Sequence, residues 1–435
     1  MLLQEAETDW FASKNIFYNI RTNQISDNIN DLLDSGHITF HPEGLRNYLD
    51  YGYSVYCQTP VEEIRFLPSN SRIWVNADHL LQIETLSDPF EKFLGNKSTP
   101  QDVEEYCHEL INQWVDGSEK TVIVPTSGGF DSRFINCMIE KKECIHAYTY
   151  GLSMKQDESM EAVYAKKLCE VLKISWKQIE LGNFNLLMED WYKIFGVSTH
   201  AHGMYHMEFY DAIRRMEMTS CRVVSGILGD LWSGNHRFSP INHSRELINL
   251  ALTHNLNADA SICKLKERHD LRDSFFENNK EKLKDENWRI VCACRIKIIL
   301  LSYLLRIPEV YGFETWSPFL DFGCVSRIIN LDWKDKERRK WQVEYFRKKN
   351  VLMSNFKLEC DFSNCLDLSS CLKHPAGPLD VRLLGTILDE TYVEEINRNL
   401  LHMRQDKLKY YYRYQVLYPL QELLRFKEYG EKFGT

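Results

Sequence analysis

The spacing of apolar positions divides the chain into three regimes. Between residues 10 and 85, short apolar stretches broken by turn residues predict strands at Asn15–Ile20, Ile38–His41, Tyr51–Cys57 and Ile64–Val75. From residue 100 to 180, helical periodicity alternates with continuous apolar runs. Helices are predicted over Gln101–Trp114, Arg133–Glu140 and Glu158–Leu172, and strands over Thr121–Val124, Ile145–Tyr150 and Ser175–Leu181. Such alternation implies right-handed βαβ units and a parallel sheet. Cys221–Ser225 adds one more buried strand, and beyond about residue 245 the pattern is mostly helical. The predicted fold class is α/β, with a parallel sheet and a helical C-terminal region. Its expected divisions are a strand-containing segment over 1–100, a nucleotide-type domain over 101–350 and a helical extension over 351–435.

Chemistry enters where the first of these strands meets its helix. Residues 127–132 read Ser-Gly-Gly-Phe-Asp-Ser, directly after the apolar run Thr121–Pro125. Two glycines let backbone N–H groups converge on one spot, and the following helix adds its positive end. Ser127 and Ser132 offer hydroxyl donors, and Asp131 offers an oxygen suited to magnesium. The loop lacks the Gly-Lys-Ser/Thr ending of a Walker motif, so the expected ligand is a pyrophosphate held without a loop lysine. A second Gly-rich stretch, Ser225–Gly234, follows the Cys221–Ser225 strand. In an open parallel sheet it arrives at the same edge, where Asp230 is positioned to share a metal with Asp131. By itself that stretch is also compatible with a turn whose aspartate caps a helix. A third stretch, Gly312–Asp321, reads on its own as a structural loop with an apolar plug.

Composition narrows the class. A chain of 435 residues that is 44% hydrophobic and 12% aromatic can bury a full core. The net charge of −9 argues against a dedicated nucleic-acid or anionic-membrane partner. Thirteen scattered cysteines without CxxC pairs fit buried thiols in a reducing cytoplasm. No apolar run reaches membrane-spanning length, and the acidic N-terminus has no signal-like core, so a cytoplasmic location is expected.

Taken in order, the three stretches resemble the synthetase domain of glutamine-dependent asparagine synthetases, members of the PP-loop ATP pyrophosphatases. Residues 127–132 match that family's SGGLDS. Residues 225–234 match its SGEGADELFGGY loop at Ser225, Gly226, Asp230 and Gly234, and residues 312–321 match GLEVRVPFLD at Gly312, Glu314, Pro318, Phe319, Leu320 and Asp321. Tyr148–Gly151, Asp157-Glu158, Tyr48–Gly52 and Ile64–Pro68 are similar to flanking parts of the same domain. The resemblance covers roughly residues 45–350. It implies an enzyme that uses ATP and Mg²⁺ to activate a carboxylate as acyl-AMP, releasing pyrophosphate, before an amine forms the amide. It places Mg²⁺ on Asp131 and Asp230, the pyrophosphate on Ser127, Gly128, Gly129 and Ser132, and adenosine beside Val124, Tyr150, Ser225 and Gly226. A basic residue on the phosphates is expected after the third motif, with Lys340 the candidate in the run Lys334–Lys340; that run also reads as a solvated helix face.

Two departures modify the expectation. The chain opens Met1-Leu2 instead of with the family's cysteine nucleophile, and Asp9–Leu33 is at most a remnant of the glutaminase domain. Nitrogen is therefore expected as ammonia, from a separate amidase, or as another amine. Ile227 stands where the family has a glutamate that handles the amine's proton, Leu231 where it has an acid, and Trp316 where it has an arginine. An isoleucine cannot move a proton. Substitute bases are sought in His200–Glu208, where His202, His206 or Glu208 has the needed chemistry; its histidines match no standard zinc spacing. The expected substrates are a small carboxylate and an amine. The rival readings are a nucleotide-binding protein without ligase activity, or a PP-loop enzyme that modifies RNA. The tyrosine-rich run Lys409–Tyr414 is read as packing.

Overall fold

The computed structural model describes residues 2–34, 38–117, 119–217, 221–252, 257–402 and 408–433; among these, the side chains of Lys409 and of residues 427–433 lie outside the description. Five strands, Thr121–Pro125 (β1), Ile145–Thr149 (β2), Ser175–Gln178 (β3), Cys221–Val224 (β4) and Glu314–Trp316 (β5), form a parallel sheet. Their order is β3-β2-β1-β4-β5. Register is fixed by pairs such as Val124 with Ala147, Val223 with Ile123 and Val224 with Trp316. β1 is apolar through its centre because both faces of a parallel sheet are covered, and β4 is buried along its whole length although it carries Arg222. The helix Pro100–Asp116 (α1) starts cleanly: Thr99 and Asp102 form a reciprocal capping box, and Pro100 takes the first turn. Phe130–Met138 (α2) follows β1, Met160–Leu172 (α3) follows β2, and Tyr205–Met216 (α4) precedes β4.

The N-terminal segment departs from the expected run of strands. Pro42–Tyr51 is a helix, capped by the His41 ring accepting from the Gly44 N–H and closed by Gly52 at φ 80°. Pro at the first turn and Gly just past the end are helix punctuation that a strand reading passes over. The expected strand over Ile38–His41 amounts to one isolated bridge, Phe40 with Val61, and Tyr51–Cys57 likewise makes only isolated bridges. The expected Ile64–Val75 strand is two strands in separate antiparallel sheets. Ile64–Phe66 pairs with Phe17–Asn19, and Ser71–Val75 pairs with Glu5–Thr8 and Leu81–Thr85. The break falls at Pro68–Asn70, where Asn70 adopts φ 52°.

One core joins the three sequence regimes. Tyr48 and Leu49 of the early helix, Ile123, Tyr148 and Ile179 of the middle, and Tyr303, Tyr411, Tyr414 and Leu420 of the helical region, the last three on the helix Leu408–Phe433, share a single buried cluster. Each such side chain removed from water contributes about 1.5–3 kcal/mol. A second cluster lies against the sheet and combines Val122, Val124, Phe134, Phe319 and Trp341. Arg295, on the helix Glu286–Leu301 (α5), clamps the N-terminal segment to the rest. It grips Asp88 at 2.6 and 3.0 Å and donates twice to the Trp10 carbonyl. All thirteen cysteines are free thiols. Among the described residues no helix is long and apolar enough to cross a membrane.

Candidate active site

The strand order reverses between β1 and β4, and the loops leaving these two strands open a crevice at the carboxyl edge of the sheet. The Ser127–Ser132 loop turns sharply through Gly128 at φ 65°. A Cβ at that position would lie 2.3 Å from the Tyr164 Cβ of α3, so only glycine serves both the conformation and the space. Ser127 and Ser132 brace the turn: the Ser127 N–H donates to the Ser132 hydroxyl, and the Gly129 N–H to the Ser127 hydroxyl, each at 3.3 Å. No side chain caps α2, which leaves its first-turn N–H groups facing the crevice. From behind, the buried Arg133 guanidinium donates to the Gly128 carbonyl.

The second loop presses directly on the first. A Cβ on Gly229 would meet the Asp131 carboxyl carbon at 2.6 Å. Leu228, immediately before it, holds φ 63°, a conformation a leucine adopts only when the surroundings impose it. Asp131 and Asp230 thus belong to one site. Burial pushes the Asp131 carboxyl up to about 7; Arg339, with Nη1 at 3.5 Å, pulls against that rise, and the Asp230 charge adds to it. Burial also acts to raise Asp230, but His236, with Nε2 at 3.6 Å, and the Arg339 charge outweigh it and hold the carboxyl below its ordinary range.

The third stretch holds this arrangement in place. Trp232 donates to the Phe319 carbonyl at 3.1 Å, Phe319 is fully buried, and Asp321 caps the helix Phe322–Ile329. Trp316 stacks on Trp114 at 5.1 Å, and Arg222, lying over the Trp114 ring, bonds Glu314 at 2.8 Å. The tryptophan that replaces the family's arginine is therefore a packing element of the sheet edge.

A cavity of about 670 Å³ opens between the loops, α4 and the helix Tyr303–Val310. Ser127, Gly129, Asp131, Ser132, Tyr150, Ser225, Gly226 and Asp230 line it, together with Ile227. Much of the remaining wall is aromatic: Tyr150 packs 5.1 Å from Phe209, and His206 packs 5.2 Å from Tyr303. Burial pushes the His206 imidazole down to about 3, so at neutral pH it is an uncharged ring, with Nε2 3.2 Å from the Tyr150 hydroxyl.

Four predicted residues do not line the cavity. Gly128 turns against Tyr164 of α3. Val124 is fully buried in β1, below the cavity, whose floor starts at Pro125. Lys340 is exposed; its neighbour Arg339, turned inward by left-handed backbone at Arg338 and Arg339, is the basic residue at Asp131. Glu208 accepts from the Gly182 and Asn183 N–H groups and the Asn183 side chain, so it ties down a loop and does not line the cavity. Arg339 lies in the run Lys334–Lys340 that sequence pointed to, one position before the residue chosen; His236 and Lys297 lie outside every predicted motif. Lys297 had a signal, a lone lysine inside the apolar run Ile296–Leu301; His236 had none.

A phosphate-type loop and a facing aspartate at the switch point of a parallel sheet define an α/β nucleotide-using enzyme class. The family model described as asparagine synthase matches residues 118–350, and the chain belongs to that family of ATP-using amide ligases. Among solved structures it is similar to the NH3-dependent NAD synthetase from Campylobacter jejuni subsp. jejuni NCTC 11168, in complex with the nitrate ion. That similarity is 20% identity over 47% of this chain and 96% of that chain, with a TM-score of 0.25. No curated protein matches.

Proposed function

We propose that this chain joins a carboxylate to an amine in two steps. A carboxylate oxygen attacks the α-phosphorus of ATP, the bond to the β-phosphate oxygen breaks, and pyrophosphate leaves. The amine then attacks the acyl carbon, and AMP departs. The observation that carries this reading is the contact between the Ser127–Ser132 loop and the Asp230 loop within one cavity.

Ser127, Ser132 and the first-turn N–H groups of α2 would hold the pyrophosphate oxygens; that Ser127 and Ser132 line the cavity supports this. Asp131 and Asp230 fit Mg²⁺. The ion is commonly held by one or two carboxylates with phosphate oxygens completing the shell, and Asp131 is half-buried beside a like charge that a cation would offset. When bound, the ion would spread the charge of the leaving group. Arg339 adds a fixed positive charge on the same side. Ile227, 2% exposed, offers no acceptor for the amine's proton, so the proton passes to water or to another group.

The test is carboxylate-dependent exchange of labelled pyrophosphate into ATP, with uronic acids, amino acids and short peptides as acids and Asp131→Asn as control. Exchange with one acid, lost in the variant, is expected. Silence across the panel, with the amine also present and ATP binding demonstrated, would refute ligase activity and leave a nucleotide binder.

A further inference from the structure

Lys297 stands on α5, which packs against the Gly229–Trp232 turn carrying Asp230, and its side chain lines the same cavity as Ser127 and Asp131. Arg339, the other cation beside these loops, has a carboxylate neighbour in Asp131. Lys297 is different. Among the described residues no carboxylate lies within ion-pairing distance of its ammonium and no hydrogen bond ends on it; it lies over the Phe238 ring at 5.8 Å. Burial holds its pKa below the ordinary lysine value, against the pull of the nearby Asp230 charge. A half-buried ammonium without a counter-ion is costly and is offset when an anion arrives.

Two anions enter the cavity in the proposed reaction, the acid and the phosphates. Asp131 and Asp230 would hold the Mg²⁺ that accompanies ATP, so the phosphates would be expected beside Asp230. Lysine is a compact point charge on a flexible stem, suited to following a phosphate oxygen as its position changes. We propose that Lys297 is a phosphate-binding residue of this site, its ammonium holding a non-bridging oxygen of the ATP triphosphate and remaining with pyrophosphate as it leaves. This rests on the ligase reading above.

Isothermal titration of magnesium pyrophosphate and of magnesium ATP into the full chain tests it, using wild type, Lys297→Met and Lys297→Arg. The methionine keeps the stem and removes the charge. A charge-assisted hydrogen bond lost here lowers affinity for both ligands about ten- to a hundredfold, and the arginine variant should stay within about fivefold of wild type. Methionine-variant affinity equal to wild type overturns the assignment while leaving the ligase reading intact. Wild type that binds neither ligand sinks both. If the methionine variant melts below wild type, the arginine variant decides. Retained affinity supports the role, and loss of affinity in an arginine variant that melts like wild type overturns it.

Discussion

Gly229→Ala tests whether the two loops form one site. The added methyl would lie 2.6 Å from the Asp131 carboxyl carbon, 2.7 Å from its Oδ1 and 2.9 Å from a Phe319 ring carbon. Ordinary contact begins near 3.4 Å, so Asp131 or the Gly229 turn must give by about 0.8 Å. Phe319 is fully buried and blocks retreat on one side, which steers the displacement onto the carboxylate. Overpacking of this size costs about 1–3 kcal/mol of stability. Misplacing a catalytic group by about 1 Å costs on the order of 10²-fold in rate. Gly226→Ala is the matched comparison: its methyl would stand 3.3 Å from the Asp131 Cβ, a clash of a tenth of an ångström. Pyrophosphate exchange should therefore fall about a hundredfold in Gly229→Ala and by no more than a few-fold in Gly226→Ala, with melting temperatures reporting the packing cost separately. Equal exchange rates in the two variants, with both folded, would show that the Asp131 carboxylate does not depend on the facing loop, and the one-site argument would fail.

Three further predictions follow from individual contacts. Arg339→Met should lower exchange by about 10–100-fold, whereas Lys340→Met, which alters an exposed side chain, should stay within about twofold; the reverse order would restore Lys340 as the phosphate contact. Burial pushes the Asp367 carboxyl up to about 6 from 3.8, although the Tyr412 hydroxyl donates to it. The unfolded chain ionises this group first, so the stability it contributes is complete below pH 3.8 and disappears as pH rises through about 6. Asp367→Asn should therefore be more stable than wild type at pH 8, by up to about 3 kcal/mol, with the gap closing near pH 4; a gap independent of pH in thermal melts would refute the burial argument. Arg295→Met strands Asp88 and the Trp10 carbonyl and should cost about 3–5 kcal/mol in urea denaturation, and a loss under about 1 kcal/mol would mean the clamp is not structural.

The parts of the site that follow from chain-local chemistry were legible without coordinates. The apolar run Thr121–Val124 and the largely buried stretches Ile145–Tyr150 and Cys221–Ser225 form strands because a parallel sheet is covered on both faces. Ser127–Ser132 read as a phosphate loop because two glycines, two hydroxyls and a helix start sit within six consecutive positions. The N-terminal helix Pro42–Tyr51 was missed even though its punctuation is local, since neighbouring short apolar stretches suggested strands.

What the sequence by itself determined is the sheet and the order of the loops that carry Asp131 and Asp230 to one edge, because strand periodicity and loop composition are properties of neighbours in the chain. Only the tertiary structure decided which cation faces Asp131. Arg339 and Lys340 are adjacent and chemically alike in sequence, and the left-handed backbone at Arg338 and Arg339 turns one inward while the other stays exposed. It also decided that Glu208 ties down a loop, that Trp316 packs on Trp114, and that Lys297 reaches the cavity from a helix more than sixty residues downstream of Asp230. These outcomes depend on which distant surfaces meet, and burial, charge and space at such meetings are set by packing that no local pattern encodes.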